Sequence, residues 1–259
     1  MKTGSALEQM VNGYWAKRFS CTHEDFARPG RLVVEDEEFA RSGDCYIYHI
    51  NKLTVVRIAP SLAERVGLPD GRGRNSVSVG ANELRSLVGE GYQVDVGREF
   101  LYYYLDPREF KPYAAAGDFT ARRLYPEDDN MHLLSLYYAC TEDDLDEAEI
   151  YIDEPDPVIY GIFDEGQLVA YASHRYWEKI IADIGVLTHP DYRSRGLGKA
   201  VVSELCEWCI QNGVVPMYRV YGDHTHSRRI PQALGFKETV IIEVLKVIEE
   251  EGHNSLLQT

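Results

Sequence analysis

Apolar positions fall into two differently patterned stretches, and the second is the more regular. In residues 198–211, Val201, Val202, Leu205, Cys206, Trp208 and Cys209 recur three or four residues apart. This predicts a helix with one buried face, stopped by Gly213. Upstream, residues 180–187 are nearly continuously apolar, the pattern of a buried strand. Residues 158–164 and 167–175 flank Glu165-Gly166 and predict an antiparallel hairpin. Residues 119–124 read as a strand, 130–140 as a helix and 214–221 as a strand. Residues 227–234 read as a short helix with Gly235 just past its end, and 239–247 as a last strand.

The first stretch is looser. Residues 6–19 are amphipathic, and 21–44 are polar and read as irregular. Residues 46–50 and 53–58, rich in β-branched and aromatic side chains, predict strands, and Pro60 at a helix N1 position introduces a helix over 61–66. Residues 67–75 carry turn chemistry, 81–89 a short helix and 100–105 a strand. Pro107, Pro112 and Ala114-Ala115-Ala116-Gly117 then mark a boundary. Two domains are expected: 1–117, a small α+β unit with no repeat or catalytic motif, and 118–259. The fold class is α+β.

Composition narrows the function. The chain has 259 residues, 44% hydrophobic and 27% charged, which is the balance of a folded protein. No apolar run approaches the roughly 18–20 residues of a membrane span, and residues 1–9 lack a secretory h-region, so a cytoplasmic protein with no membrane partner is expected. Five cysteines, an odd number spread over a long chain, imply reduced thiols. The net charge is −15, and it is unevenly placed. Residues 1–117 carry 15 basic and 16 acidic groups, leaving 12 and 26 for the rest. That balance argues against nucleic-acid binding.

Against this acidity the segment Ile184-Gly185-Val186-Leu187-Thr188-His189-Pro190-Asp191-Tyr192-Arg193-Ser194-Arg195-Gly196-Leu197-Gly198-Lys199 stands out. A buried strand runs through a loop into a helix start, where unpaired N–H groups and a positive partial charge suit an anion. Gly196 and Gly198 allow close approach of a pyrophosphate, and Arg193, Arg195 and Lys199 add positive charge. A Walker loop needs glycine where Arg193 stands and Ser or Thr where Ala200 stands. A Rossmann loop needs a third glycine where Val201 stands. Both readings fail.

Arg193-Ser194-Arg195-Gly196-Leu197-Gly198 resembles the Arg/Gln-x-x-Gly-x-Gly/Ala signature of the GNAT acyl-CoA N-acyltransferases. His189-Pro190 before it and Leu234-Gly235-Phe236 near the end of the fold fit the same family. The likeness covers roughly residues 118–249, and 1–117 resemble the amino-terminal extension of one branch, with Tyr102-Tyr103-Tyr104-Leu105 near its end.

The resemblance implies a GNAT fold: a mixed, mostly antiparallel central sheet flanked by helices. It also implies acetyl-CoA as co-substrate, with no metal. Backbone groups of Val186, Leu187 and Thr188 would bind the pantetheine arm, a donor near Leu187 would polarise the thioester, and Arg193, Ser194, Arg195, Gly196, Leu197, Gly198 and Lys199 would hold the pyrophosphate. His224 stands at a cofactor-side Asn position of the family, and Ser227 matches a family Ser or Ala that bonds cofactor or caps the helix. Pro231 replaces the family's acid tyrosine, so Tyr221, a water, or unaided thiolate departure must serve instead.

Asp183 and His174 are candidates for taking the amine proton. His224 and His226 lack further metal ligands and read as loop residues, while Cys206, Cys209 and Trp208 read as helix packing. The nine acidic groups of residues 142–156 read either as a solvated surface or as an attractor for a cationic acceptor. The expected activity is direct transfer of an acetyl group to a primary amine, on a small molecule or a basic peptide, in a ternary complex. The alternative is a non-catalytic acyl-CoA sensor, and a homodimer is left open.

Overall fold

The computed structural model describes residues 6–67, 79–151, 154 and 156–249, so most of the turn-rich segment expected at 67–75 lies outside the described residues. The elements begin with α1 (Ala6–Arg18), β1 (Gly30–Glu35), α2 (Phe39–Ser42), β2 (Asp44–Ile50), β3 (Leu53–Ile58), α3 (Pro60–Val66), α4 (Ala81–Val88) and β4 (Tyr92–Tyr104). They continue with β5 (Ala121–Leu124), α5 (Pro126–Ala139), α6 (Glu142–Ala148), β6 (Val158–Asp164), β7 (Gln167–Trp177) and β8 (Ile181–Thr188). The last are α7 (Leu197–Gln211), β9 (Val215–Tyr221), α8 (Arg229–Leu234) and β10 (Lys237–Glu249).

These elements form two compact units. The first holds the described residues up to Leu101, together with Tyr221–Asp223 and those from Thr239. The second holds Tyr102–Val220 and His224–Glu238. The chain thus passes from one unit to the other inside β4, on either side of Tyr221–Asp223 and inside β10. Hydrogen bonding explains where residues 102–117 go. Leu105 N donates to Pro216 O (3.0 Å), Lys111 N to Leu234 O (3.0 Å) and Tyr113 N to Ser203 Oγ (2.9 Å), all within the second unit.

In the first unit β1 runs parallel to β3, β3 is antiparallel to β2, and β10 is antiparallel to β2 from Val240↔Ile50 to Lys246↔Asp44. Ile47, Val56, Ile58, Leu84 and Leu245 form its centre with the apolar faces of α3 and α4. Trp15 of α1 stacks on Phe19 and meets Tyr48. Residues 21–44, expected to be irregular, contain β1 and α2. Strand β1 is short and takes its order from a parallel partner that lies beyond β2 in the chain, a tertiary effect that local pattern does not carry.

In the second unit β5, β6, β7 and β8 pair antiparallel in sequence, and β9 joins β8 in parallel. The predicted hairpin forms at Glu165-Gly166, both with positive φ, as a tight turn between β6 and β7 demands. Helix α7 buries Val201, Val202, Leu205, Cys206 and Cys209 against this sheet, each large side chain stabilising it by about 1.5–3 kcal/mol. Leu133, Leu136 and Tyr137 of α5 pack with Tyr171 and Leu187 into a separate cluster. No helix among the described residues is long and apolar enough to cross a membrane.

Candidate functional site

The site is built where β8 runs out of partners on one side. Its pairing with β7 extends along its whole length, from Trp177↔Ile181 to Ala170↔Thr188. Its registered pairing with β9, among the described residues, covers only Ile181↔Val215, Ala182↔Pro216 and Asp183↔Met217. The backbone of Val186 and the amide of Thr188, which face away from β7, lie beyond that registered pairing and are available to something other than a neighbouring strand.

From Thr188 the chain turns through His189, whose Nδ1 accepts from Asp191 N (3.3 Å), and a 3-10 turn at Pro190–Tyr192. Ser194 (φ 63°) and Gly196 (φ 84°) both take the left-handed conformation that brings the loop round into α7. Gly196 is the N-cap, and the first helical bond is Ala200 N to Gly196 O (3.1 Å), leaving the amides of Leu197, Gly198 and Lys199 ahead of it. A Cβ on Gly198 would stand 3.2 Å from Thr188 Oγ1 and 3.7 Å from Val186 Cγ2, so helix and strand meet closely there. Val186, Thr188, Gly198 and the loop thus come together, while the Leu187 side chain is buried in the α5 cluster and its backbone, two residues before His189 whose N donates to Val169 O, faces Tyr171 of β7.

Each expected cation has a protein partner. The Arg193 guanidinium pairs with Asp144 (2.9 Å) and donates to Thr188 O (3.3 Å). Arg195 donates to Asp191 O (3.1 Å) and lies over the Tyr192 ring, and Lys199 lies over the Tyr113 ring, 4.3 Å from its centroid. His224 faces Glu147 (3.5 Å). Ser227 does not cap α8: the N-cap is Arg228, with no side-chain cap bond, because the helix starts two residues later than its pattern suggests. Tyr221 belongs to the first unit, where it packs against Phe100 (4.9 Å) with Arg98 over its ring (4.5 Å).

The acidic stretch is more ordered than either sequence reading supposed. Thr141 and Asp144 form a capping box that starts α6. A Cβ on Gly185 would collide with Ala148 O, so only glycine lets the end of α6 close onto β8. Asp144 pairs with Arg193, Glu147 with His224, Glu149 with Arg219 and Asp156 with Arg175 (3.6 Å). Burial raises the Asp144 carboxyl, but hydrogen bonds from Thr141 and Arg193 outweigh it and hold the group below the usual range. Glu142, Asp143 and Asp146 stay exposed.

The two candidate bases lie deep. Asp183 is buried and pairs with Arg219 (2.6 Å), which also holds Glu149. Burial pushes the Asp183 carboxyl up while Arg219 pulls it back, and burial wins. His174 is fully buried between Tyr176 (4.5 Å) and Trp208 (5.5 Å), with neither ring nitrogen hydrogen-bonded among the described residues. Burial, with a smaller contribution from Arg123, pushes it down to about 4. Cys209 is raised to about 12 by burial, as a packing thiol is. No three His, Cys, Asp or Glu among the described residues are grouped to hold a metal.

Residues 123–236 match the family model described as acetyltransferase (GNAT) family, and an amino-terminal region precedes the match. Among solved structures, a putative GNAT acetyltransferase from Novosphingobium aromaticivorans is similar at 22% identity and TM-score 0.43, over 61% of this chain and 68% of that one. A GCN5-related N-acetyltransferase from Sphaerobacter thermophilus is similar at 17% and 0.49, over 68% and 58%. A GCN5-related N-acetyltransferase-like protein from Streptococcus suis is similar at 18% and 0.44, over 94% and 100%. No curated protein sequence matches the chain.

Proposed function

We propose that the protein is an N-acetyltransferase that moves an acetyl group from acetyl-CoA to a primary amine by direct attack in a ternary complex. The observation that carries this is the early end, among the described residues, of the registered β8–β9 pairing beside a glycine N-cap, with three amides ahead of the first helical bond. The loop suits a diphosphate: its backbone has no Cβ at 196 or 198, and Arg195 and Lys199 stand beside it. Acyl-CoA brings an activated thioester. The amides around Leu187 are suited to stabilise the oxyanion as the amine attacks, an effect of about 3–4 kcal/mol for one well-placed donor. Holding both substrates in one cleft removes the entropic cost of encounter. Pro231 has no proton to give, so the thiolate departs without a tyrosine acid, which its modest basicity permits.

The acceptor proposed is cationic, a small amine or a basic peptide, drawn by Glu142, Asp143 and Asp146 on the exposed face of α6. Neutralising all three should raise KM for the amine with kcat unchanged, and unchanged KM removes this part of the proposal. A cytoplasmic location is proposed with it. A second reading, an acyl-CoA sensor without turnover, is favoured by Pro231 alone. Acetyl-CoA mixed with a panel of amines, followed by release of free thiol, separates the two: turnover supports the enzyme, and binding without turnover on any amine supports the sensor.

A further inference from the structure

We propose that Tyr113 is a diphosphate-binding residue, a hydroxyl delivered to the loop from outside the Arg193–Gly198 signature; this rests on the acyl-CoA reading above. Helix N-caps are usually Ser, Thr, Asp or Asn, whose side chains accept hydrogen bonds from first-turn amides. Gly196 offers no such acceptor. The Tyr113 hydroxyl lies 2.5 Å from the point where a Cβ on residue 196 would stand, so it sits against the loop backbone where only a glycine leaves room for it.

It is held there by the chain around it. Lys111 N is bonded to Leu234 O (3.0 Å), and Tyr113 N is bonded to the hydroxyl of Ser203, a buried residue of α7. The Lys199 ammonium rests on the same ring, 4.3 Å from its centroid, so phenol and ammonium flank one helical turn.

The chemistry of the group fits an anion that comes and goes. A carboxylate cap would satisfy the amides but repel a diphosphate. A phenol is able both to accept from an N–H group and to donate to a phosphate oxygen, which suits a loop that holds a diphosphate reversibly. Tyr113 is partly exposed, so the residue is not sealed in the core.

Tyr113→Phe keeps the ring, its contact with Lys199 and the main-chain bond to Ser203, and removes only the hydroxyl. Coenzyme A binding is measured by calorimetry. Pantetheine, which has the same arm without the diphosphate, is measured by ligand-observed NMR. The variant is expected to bind coenzyme A about tenfold more weakly and pantetheine as the unaltered protein does. Equal coenzyme A affinity in both proteins overturns the proposal and leaves the acyl-CoA reading standing. Equal weakening for both ligands also overturns it, since that marks a packing role. An unaltered protein that binds no coenzyme A overturns the acyl-CoA reading and this proposal together.

Discussion

Two arginines of the second unit meet carboxylates under opposite conditions. Arg219 is 17% exposed and joins Asp183, itself 7% exposed, with Glu149 closing the group from the end of α6. Arg193 is 47% exposed and meets Asp144 at the surface of the loop. In the first case the charges have lost water and must have each other. In the second, water and salt already supply most of what the partner supplies, so the guanidinium is free to exchange one anion for another. One cluster fixes the geometry of β8 and α6, and the other leaves cations near the loop in a reversible state.

The contrast is broken most directly at Asp183. Asp183→Asn leaves Arg219 buried without its main counter-charge and should cost about 3–5 kcal/mol, read from the urea midpoint at neutral pH. A loss below 1 kcal/mol would show that water reaches the pair.

A second buried group adds a pH dependence. His174 titrates near 4 in the fold against an ordinary 6.5. Between those values the unfolded chain binds a proton that the folded chain does not. Stability is therefore complete above pH 6.5 and falls as pH drops toward 4, by up to about 3 kcal/mol. His174→Phe should flatten that part of a stability-versus-pH curve, and parallel curves would refute the assignment.

At the loop, Gly196→Ala forces a side chain into φ 84° and against Tyr113, costing about 1–2 kcal/mol of stability and at least tenfold in coenzyme A affinity. Calorimetry and thermal melting read the two effects separately. The smallest change is expected at the exposed pair. Arg193→Gln should alter stability by less than about 1 kcal/mol, and 0.5 M salt should abolish the difference. A larger loss would mean that the Asp144 contact anchors α6.

The elements that sequence reading found are those with local periodic signals. Helix α7 showed its buried face, the β6–β7 hairpin its Glu165-Gly166 turn and the loop its glycines. Helix α6 was within reach, because Thr141 and Asp144 stand at capping-box spacing, but a run of acids reads first as solvated surface. Strand β1 was not, since a parallel partner beyond β2 gives no local mark. The same holds for Arg219 and Tyr113, whose roles depend on residues 36 and 83 positions away, Asp183 and Gly196. Capping was one of two roles offered by the match of Ser227 to a family position, and the start of α8 decided against it.

Residues 106–117 carry the prolines and alanines of a severable tether, yet the stretch is bonded at Lys111 to Leu234 and at Tyr113 to Ser203. A protease should therefore be slow to nick it in the native protein. An expression boundary drawn at residue 118 would discard Tyr113 and strip Ser203 of its amide partner. Fragments meant to report on the second unit should begin upstream of Tyr102, where that unit begins.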